Sequence, residues 1–181
     1  VVVYACKAIS NRIVLIEKSV SSERVWLMLH VDTGPYLIGV WYRPPNPGEH
    51  DSIRSFEEEW QRLSLDVLGT ICIGDLNVHH IRWLRHSTRN SSEGELLLTV
   101  CDTYGFRQLV MEPTRGDNLL DLALTDLDEV RCKVVGKIAD HKGLKLTLPF
   151  TVPQVEIQST RCYARTGHGL PGLILILVQR D

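Results

Sequence analysis

Short apolar runs rich in β-branched and aromatic residues, separated by polar or Gly-Pro punctuation, open the chain: Arg12–Glu17 (RIVLIE), Arg24–Val31 (RVWLMLHV) and Tyr36–Trp41 (YLIGVW). They predict three successive strands. The segment Arg43–Asp51 (RPPNPGEHD) holds three prolines and a glycine, which predicts an ordered, non-helical loop leaving the third strand. Ile53, Phe56, Trp60, Leu63 and Val67 then recur at three- and four-residue intervals with Glu57, Glu58, Glu59 and Arg62 between them. That spacing predicts an amphipathic helix starting near Asp51 or Ser52, its apolar stripe serving the core. Thr70–Ile73 (TICI) predicts a buried strand ending at Gly74, followed by a polar loop over His79–Ser92. A second helix is predicted over Gly94–Tyr104 through Leu97, Val100, Cys101 and Tyr104.

The later part reverts to strands, predicted at Arg107–Val110, Asn118–Thr125, Arg131–Val135 and Leu144–Pro149. Irregular interleaving of strands and helices points to a mixed α/β or α+β sandwich and excludes a regular βαβ wheel. Beyond Pro153 the periodicity dissolves, so residues 1–152 are expected to form the domain and 153–181 a linker or tail.

Composition narrows the picture only a little. With 181 residues, 44% of them hydrophobic, the chain can bury one sizeable core. The net charge of -2 gives no global attraction to a polyanion, so nucleic acid would have to meet a local basic face. Cys6, Cys72, Cys101, Cys132 and Cys162 are dispersed without a CxxC pair. They read as reduced thiols of an intracellular protein, nuclear or cytoplasmic, and argue against a zinc site or a disulfide framework. The opening VVVYACKAIS lacks a basic signal-peptide start, and the apolar run in GLPGLILILVQRD is far below the roughly 20 residues that span a bilayer, so no membrane partner is expected.

Three segments carry candidate chemistry. In ICIGDLNVHH (Ile71–His80) a buried strand runs into Gly74 and presents Asp75 and Asn77 on one side, while Leu76 and Val78 turn back to the core. An acid and an amide side by side can deprotonate a water and hold a phosphoryl oxygen; a turn in which both bond nearby backbone is the bland alternative. In NLLDLALT (Asn118–Thr125), Leu120, Leu122 and Leu124 share one face and Asp121 lies alone on the other, where an acid needs a partner. The third is ADHKGL, with an Asp140-His141 pair just before the last strand, suited to acid-base work, to steadying a phosphate, or merely to a solvated turn.

In that order, WYRPPN (Trp41–Asn46), GDLN, PTRGDNLLDLALTD and DHKGL resemble the endonuclease/exonuclease/phosphatase superfamily, DNase I-like and apurinic-endonuclease-like. YRPPN followed by GDLN looks like the endonuclease domain of a non-LTR retrotransposon polyprotein. The resemblance covers about the first 150 residues. It implies a four-layer α/β sandwich of two mixed sheets flanked by helices, here partial. It also implies a hydrolase that nicks DNA with Mg2+ (or Mn2+) and leaves a 3'-hydroxyl for target-primed reverse transcription, with a C-terminal reverse transcriptase domain in the full-length protein.

By the same resemblance Asp75 activates the attacking water, Asn77 orients it, and Tyr42 contacts the scissile phosphate. Asp121 orients His141, His141 stabilises the pentacovalent phosphate, and Asp140 lies at the metal. Arg43 and the loop residues Arg82, Arg85 and Arg89 are expected to meet DNA phosphates, with a solvated loop as the alternative for the latter. Paired His79 and His80 are not expected to hold metal. Two departures stand out. Ala139 replaces the serine that usually precedes the Asp-His pair, and no motif matches the family's metal-binding Glu and early Asn. Glu17 and Glu23 sit in the wrong context to replace that Glu, so an N-terminally truncated domain with an open sheet edge is expected. A catalytically inactive remnant, and a phosphodiesterase acting on lipid or inositol phosphates, stay open as alternatives.

Overall fold

The computed structural model describes residues 1–5, 9–138, 140–149 and 173–175. Six strands form one mixed sheet: β1 (Ile13–Lys18), β2 (Glu23–Val31), β3 (Gly34–Tyr42), β4 (Thr70–Asp75), β5 (Arg107–Gln108) and β6 (Asp121–Thr125), in the order β1-β2-β3-β4-β6-β5. Pairing is antiparallel except between β3 and β4, where the crossover is helix α1 (Asp51–Leu63). A second helix, α2 (Ser92–Tyr104), links β4 to β5. The second sheet, β7 (Arg131–Ile138), β8 (His141–Thr147) and β9 (Leu173–Leu175), is antiparallel throughout. This is an α/β fold with two sheets and few helices, as the sequence pattern implied. Among the described residues both pairs of the second sheet are antiparallel.

Helix α1 packs on one face of the large sheet. Phe56 stacks between Trp26 of β2 and Trp41 of β3, at ring-centroid distances of 5.8 and 5.2 Å. On this face Glu59 accepts hydrogen bonds from Arg24 Nε at 2.9 Å, Trp26 Nε1 at 2.7 Å and Ser19 Oγ at 2.6 Å. Burial alone would raise the Glu59 carboxyl, but those donors outweigh it and hold it low. The Arg24 guanidinium lies 4.6 Å from the centre of the Trp41 ring, so the buried charge is both paired and covered by an aromatic face.

Strand alternation then decides what the other face carries. Cys72 and Leu124 are register partners on the Trp26 side, which turns Ile71, Ile73 and Asp75 of β4, with Asp121, Ala123 and Thr125 of β6, to the opposite side. Gly74 is needed for this arrangement, because a Cβ there would lie 1.6 Å from the Trp41 carbonyl oxygen.

Most element boundaries match the pattern, with local differences. Helix α1 ends at Leu63, short of Val67, where Ser64 closes it by donating its amide to the Trp60 carbonyl. The predicted strand at 118–125 begins only at Asp121, because Asn118 instead bridges back to Arg115. His141, expected in a loop, opens β8 opposite Ile138. Helix α2 gains its first turn from Ser91, whose side chain accepts the Gly94 amide, and ends at Gly105 in the left-handed region.

Of the expected tail, Leu173–Leu175 pairs with β8, while 150–172 and 176–181, like Cys6, Cys162 and Ala139, lie outside the described residues. Cys72, Cys101 and Cys132 are free thiols. Among the described residues no helix is long and apolar enough to cross a membrane.

Candidate active site

The end of β4 and the start of β6 set two acids side by side. Asp75 and Asp121 are register partners across the antiparallel pair, and both are buried, at 9% and 8% exposure. From the second sheet His141 reaches over them. Its Nδ1 lies 2.7 Å from Asp121 Oδ2 and its Nε2 lies 3.9 Å from Asp75 Oδ2. With the Nδ1 proton donated to Asp121, Nε2 is the nitrogen turned toward Asp75. One ligand atom from each of the three residues falls within 4.8 Å of the others.

Two buried carboxylates side by side put this cluster under like-charge repulsion. Burial pushes the Asp75 carboxyl up to about 6 and the neighbouring Asp121 adds to the rise, while His141, Asn77 and Arg115 oppose it. Asp75 Oδ1 is buried and has no hydrogen-bond partner among the described residues. An orphaned carboxylate oxygen facing a like charge is what a hard divalent cation would satisfy.

Asn77 follows in a left-handed conformation, φ 49, which asparagine tolerates better than most side chains. Its Nδ2 donates to the Arg43 carbonyl at 2.9 Å, and the Arg43 amide donates to the Asp75 carbonyl at 2.8 Å. The loop after β3 is thereby stitched to both candidate residues of GDLN. Leu76 and Val78 are buried, in keeping with the alternation inferred from sequence. Tyr42 ends β3 beside this junction and is buried.

Arg43 does not fit its expected place among the DNA contacts. Its side chain is 1% exposed, paired with Glu49 at 3.3 Å and with Glu93 at 4.0 Å, and it also donates to the Glu49 carbonyl. Burial lowers its pKa, against the opposing pull of both carboxylates. The guanidinium anchors the proline-rich loop to α2 and is not offered to solvent.

Arg82, Arg85 and Arg89 are exposed on the loop after GDLN. Arg89 lines an open cleft of about 540 Å3 together with Pro45, Asn46, Asn77, His79 and Asn118. Burial, and then the Arg89 charge, lower the pKa of His79. His80 is engaged inside the fold: its Nδ1 accepts the Trp83 amide at 3.1 Å, and its Nε2 lies 3.2 Å from Glu95.

Asp140 sits at the rim, two-thirds exposed. Its Oδ2 is 2.9 Å from Arg115 and 4.0 Å from His141 Nε2. Two residues that sequence reasoning passed over matter here. Thr114 is fully buried, and its Oγ1 accepts the amides of Leu120 and Asp121, each at 3.1 Å, while its carbonyl accepts the Lys142 amide at 2.8 Å. The threonine fixes the start of β6 against the start of β8, and so Asp121 against His141. Arg115 is the second; along the chain it stands only as part of the PTRGDNLLDLALTD segment, with no role of its own.

Comparison with known proteins agrees with this fold. Residues 36–144 match the sequence profile of the family described as endonuclease-reverse transcriptase. Ten solved chains match this one in structure. One is the endonuclease domain of TRAS1, a telomere-specific non-LTR retrotransposon, with a TM-score of 0.63 at 15% identity, over 76% of this chain and 68% of that one. No curated protein matches the chain in sequence.

Proposed function

The chain belongs to the endonuclease-reverse transcriptase family, and from that premise we propose that it hydrolyses DNA phosphodiesters with a divalent metal, nicking one strand to leave a 3'-hydroxyl that primes reverse transcription. The observation that carries this reading is the convergence of Asp75, Asp121 and His141 from two sheets on one point.

Asp75 and Asp121 would hold the cation, Mg2+ or Mn2+, with Asp140 offering a further oxygen at the rim. Once bound, the metal supplies charge neutralisation at the phosphoryl oxygens. The chain's own groups do the rest. Asp75, whose second carboxylate oxygen Oδ1 has no hydrogen-bond partner among the described residues, takes the proton of the attacking water. Asn77, held by the Arg43 carbonyl, orients that water and the phosphate. Asp121 keeps His141 in the tautomer and orientation in which Nε2 meets the phosphate as charge builds. Tyr42 contacts the scissile phosphate, and Arg82, Arg85 and Arg89 hold the flanking backbone.

We take residues 1–152 as the body of the domain, to which Leu173–Leu175 of the expected tail adds a strand, and place the protein in the nucleus or cytoplasm with a C-terminal reverse transcriptase domain in the full-length form. The test is nicking of supercoiled plasmid with Mg2+ or EDTA, for this chain and for the longest reading frame that contains it. EDTA-sensitive nicking that Asp75→Ala abolishes supports the reading. Nicking that survives Asp75→Ala removes Asp75 from the mechanism, and release of inositol phosphates without nicking moves the activity to another substrate class.

A further inference from the structure

The turn before β6 carries a cation to the mouth of the site. The Arg115 amide donates to the Asn118 carbonyl at 3.0 Å and the Asn118 amide to the Arg115 carbonyl at 2.9 Å, with Gly116 in the left-handed region at φ 55. Thr114 ties this turn to Asp121 on one side and to Lys142, the neighbour of His141, on the other. The base of the Arg115 side chain is therefore held in fixed relation to the catalytic cluster.

Its guanidinium is 51% exposed and meets Asp140, itself 66% exposed, at 2.9 Å. Asp140 in turn lies 4.0 Å from His141 Nε2, which is 3.9 Å from Asp75. Three carboxylates thus surround the point where an anionic phosphodiester must enter. An exposed Arg–Asp pair contributes at most ~1 kcal/mol to stability, so it exchanges readily for another anion. The planar guanidinium matches two phosphate oxygens at once, which a lysine cannot do.

We infer that Arg115 is a catalytic residue: its guanidinium parts from Asp140 and donates to non-bridging oxygens of the scissile phosphate as negative charge develops on them. The inference rests on the hydrolytic reading above. The same exchange releases Asp140 from its resting partner.

The test compares wild type, Arg115→Ala, Arg115→Lys and Asp140→Asn in single-turnover nicking of supercoiled plasmid with Mg2+, with and without low millimolar guanidinium ion. Arg115→Ala should slow nicking on the order of 100-fold or more, Arg115→Lys less, and guanidinium ion should restore part of the rate in Arg115→Ala alone. Asp140→Asn, which gives up the rim oxygen offered to the cation but keeps the guanidinium, should raise the Mg2+ concentration needed for half-maximal nicking and show no rescue by guanidinium ion. Equal small losses in Arg115→Ala and Asp140→Asn, without rescue, would mark the pair as a surface salt bridge and overturn the inference. If wild type binds a DNA duplex but never nicks, the hydrolytic reading fails separately. Duplex affinity by fluorescence anisotropy then decides: a weaker, less salt-dependent affinity in Arg115→Ala keeps the phosphate contact, and an unchanged one removes it.

Discussion

His141 Nδ1 and Asp121 Oδ2 lie 2.7 Å apart, and this hydrogen bond joins the two sheets at the mouth of the candidate site. An imidazole that donates through Nδ1 has one remaining nitrogen for chemistry, and here that nitrogen faces Asp75.

Removing the orienting acceptor should therefore cost turnover more than binding. Asp121→Asn is expected to lower the single-turnover nicking rate by about 100-fold or more, since the tautomer is no longer imposed. His141→Ala should do at least as much. Duplex affinity in both variants, read by anisotropy, should stay within a few-fold of wild type; equal losses of rate and affinity would assign His141 to binding.

Asp75 should weaken the fold that holds it. Its carboxyl is raised to about 6, so the folded state holds the proton more tightly than the unfolded chain does. The stabilisation from that proton is complete below the ordinary carboxylate range, near pH 4, and is lost as pH rises through about 6. Without metal, Asp75→Asn is expected to be more stable than wild type by about 1–3 kcal/mol near pH 7.5, an advantage that vanishes near pH 4. Urea denaturation in EDTA at the two pH values checks both the sign and the window.

Metal should reverse that penalty. Mg2+ is expected to raise the melting temperature of wild type by binding the folded state alone, and to do so far less in Asp75→Asn. Equal shifts in the two proteins would place the metal elsewhere.

On the opposite face of the large sheet the buried Arg24–Glu59 pair is a stability element remote from the chemistry. Glu59→Ala strands the Arg24 guanidinium and the Trp26 indole N–H, and should destabilise by about 3–5 kcal/mol in chemical denaturation. The nicking rate per folded molecule should be unchanged at a temperature where the variant remains folded.

The loop arginines should act through charge alone. Replacing Arg82, Arg85 and Arg89 together with glutamine is expected to weaken duplex binding uniformly across sequences and to lower the salt dependence by up to about three counterions. The rate at saturating DNA should change little, and an unchanged salt slope would identify the loop as solvated surface.

Much of this molecule is legible along the chain. Alternation in LDLALT sets Asp121 on the face opposite its leucines, and the structure keeps it there, with Ala123 and Thr125. The stripe of Ile53 and Phe56 buries as its period predicts, and GDLN delivers Asp75 at the end of a buried strand. These readings succeed because side-chain direction within one strand or helix follows from local backbone geometry.

What local geometry does not contain is the partner of each group. That Asp75 lies opposite Asp121 depends on the β4–β6 register, and that His141 reaches Asp121 depends on the packing of the second sheet on the first. Arg43 looked like a basic residue in an exposed loop, yet Glu49 and Glu93 turn its charge inward, and Glu93 comes from a helix the loop's sequence does not mention. Arg115 and Thr114 carry no role along the chain, and acquire one only because their turn touches both β6 and β8. Sequence by itself determined which residues share a face of one element. Only the tertiary structure decided which faces meet, because that choice is made by long-range pairing and burial, to which each residue contributes only a part.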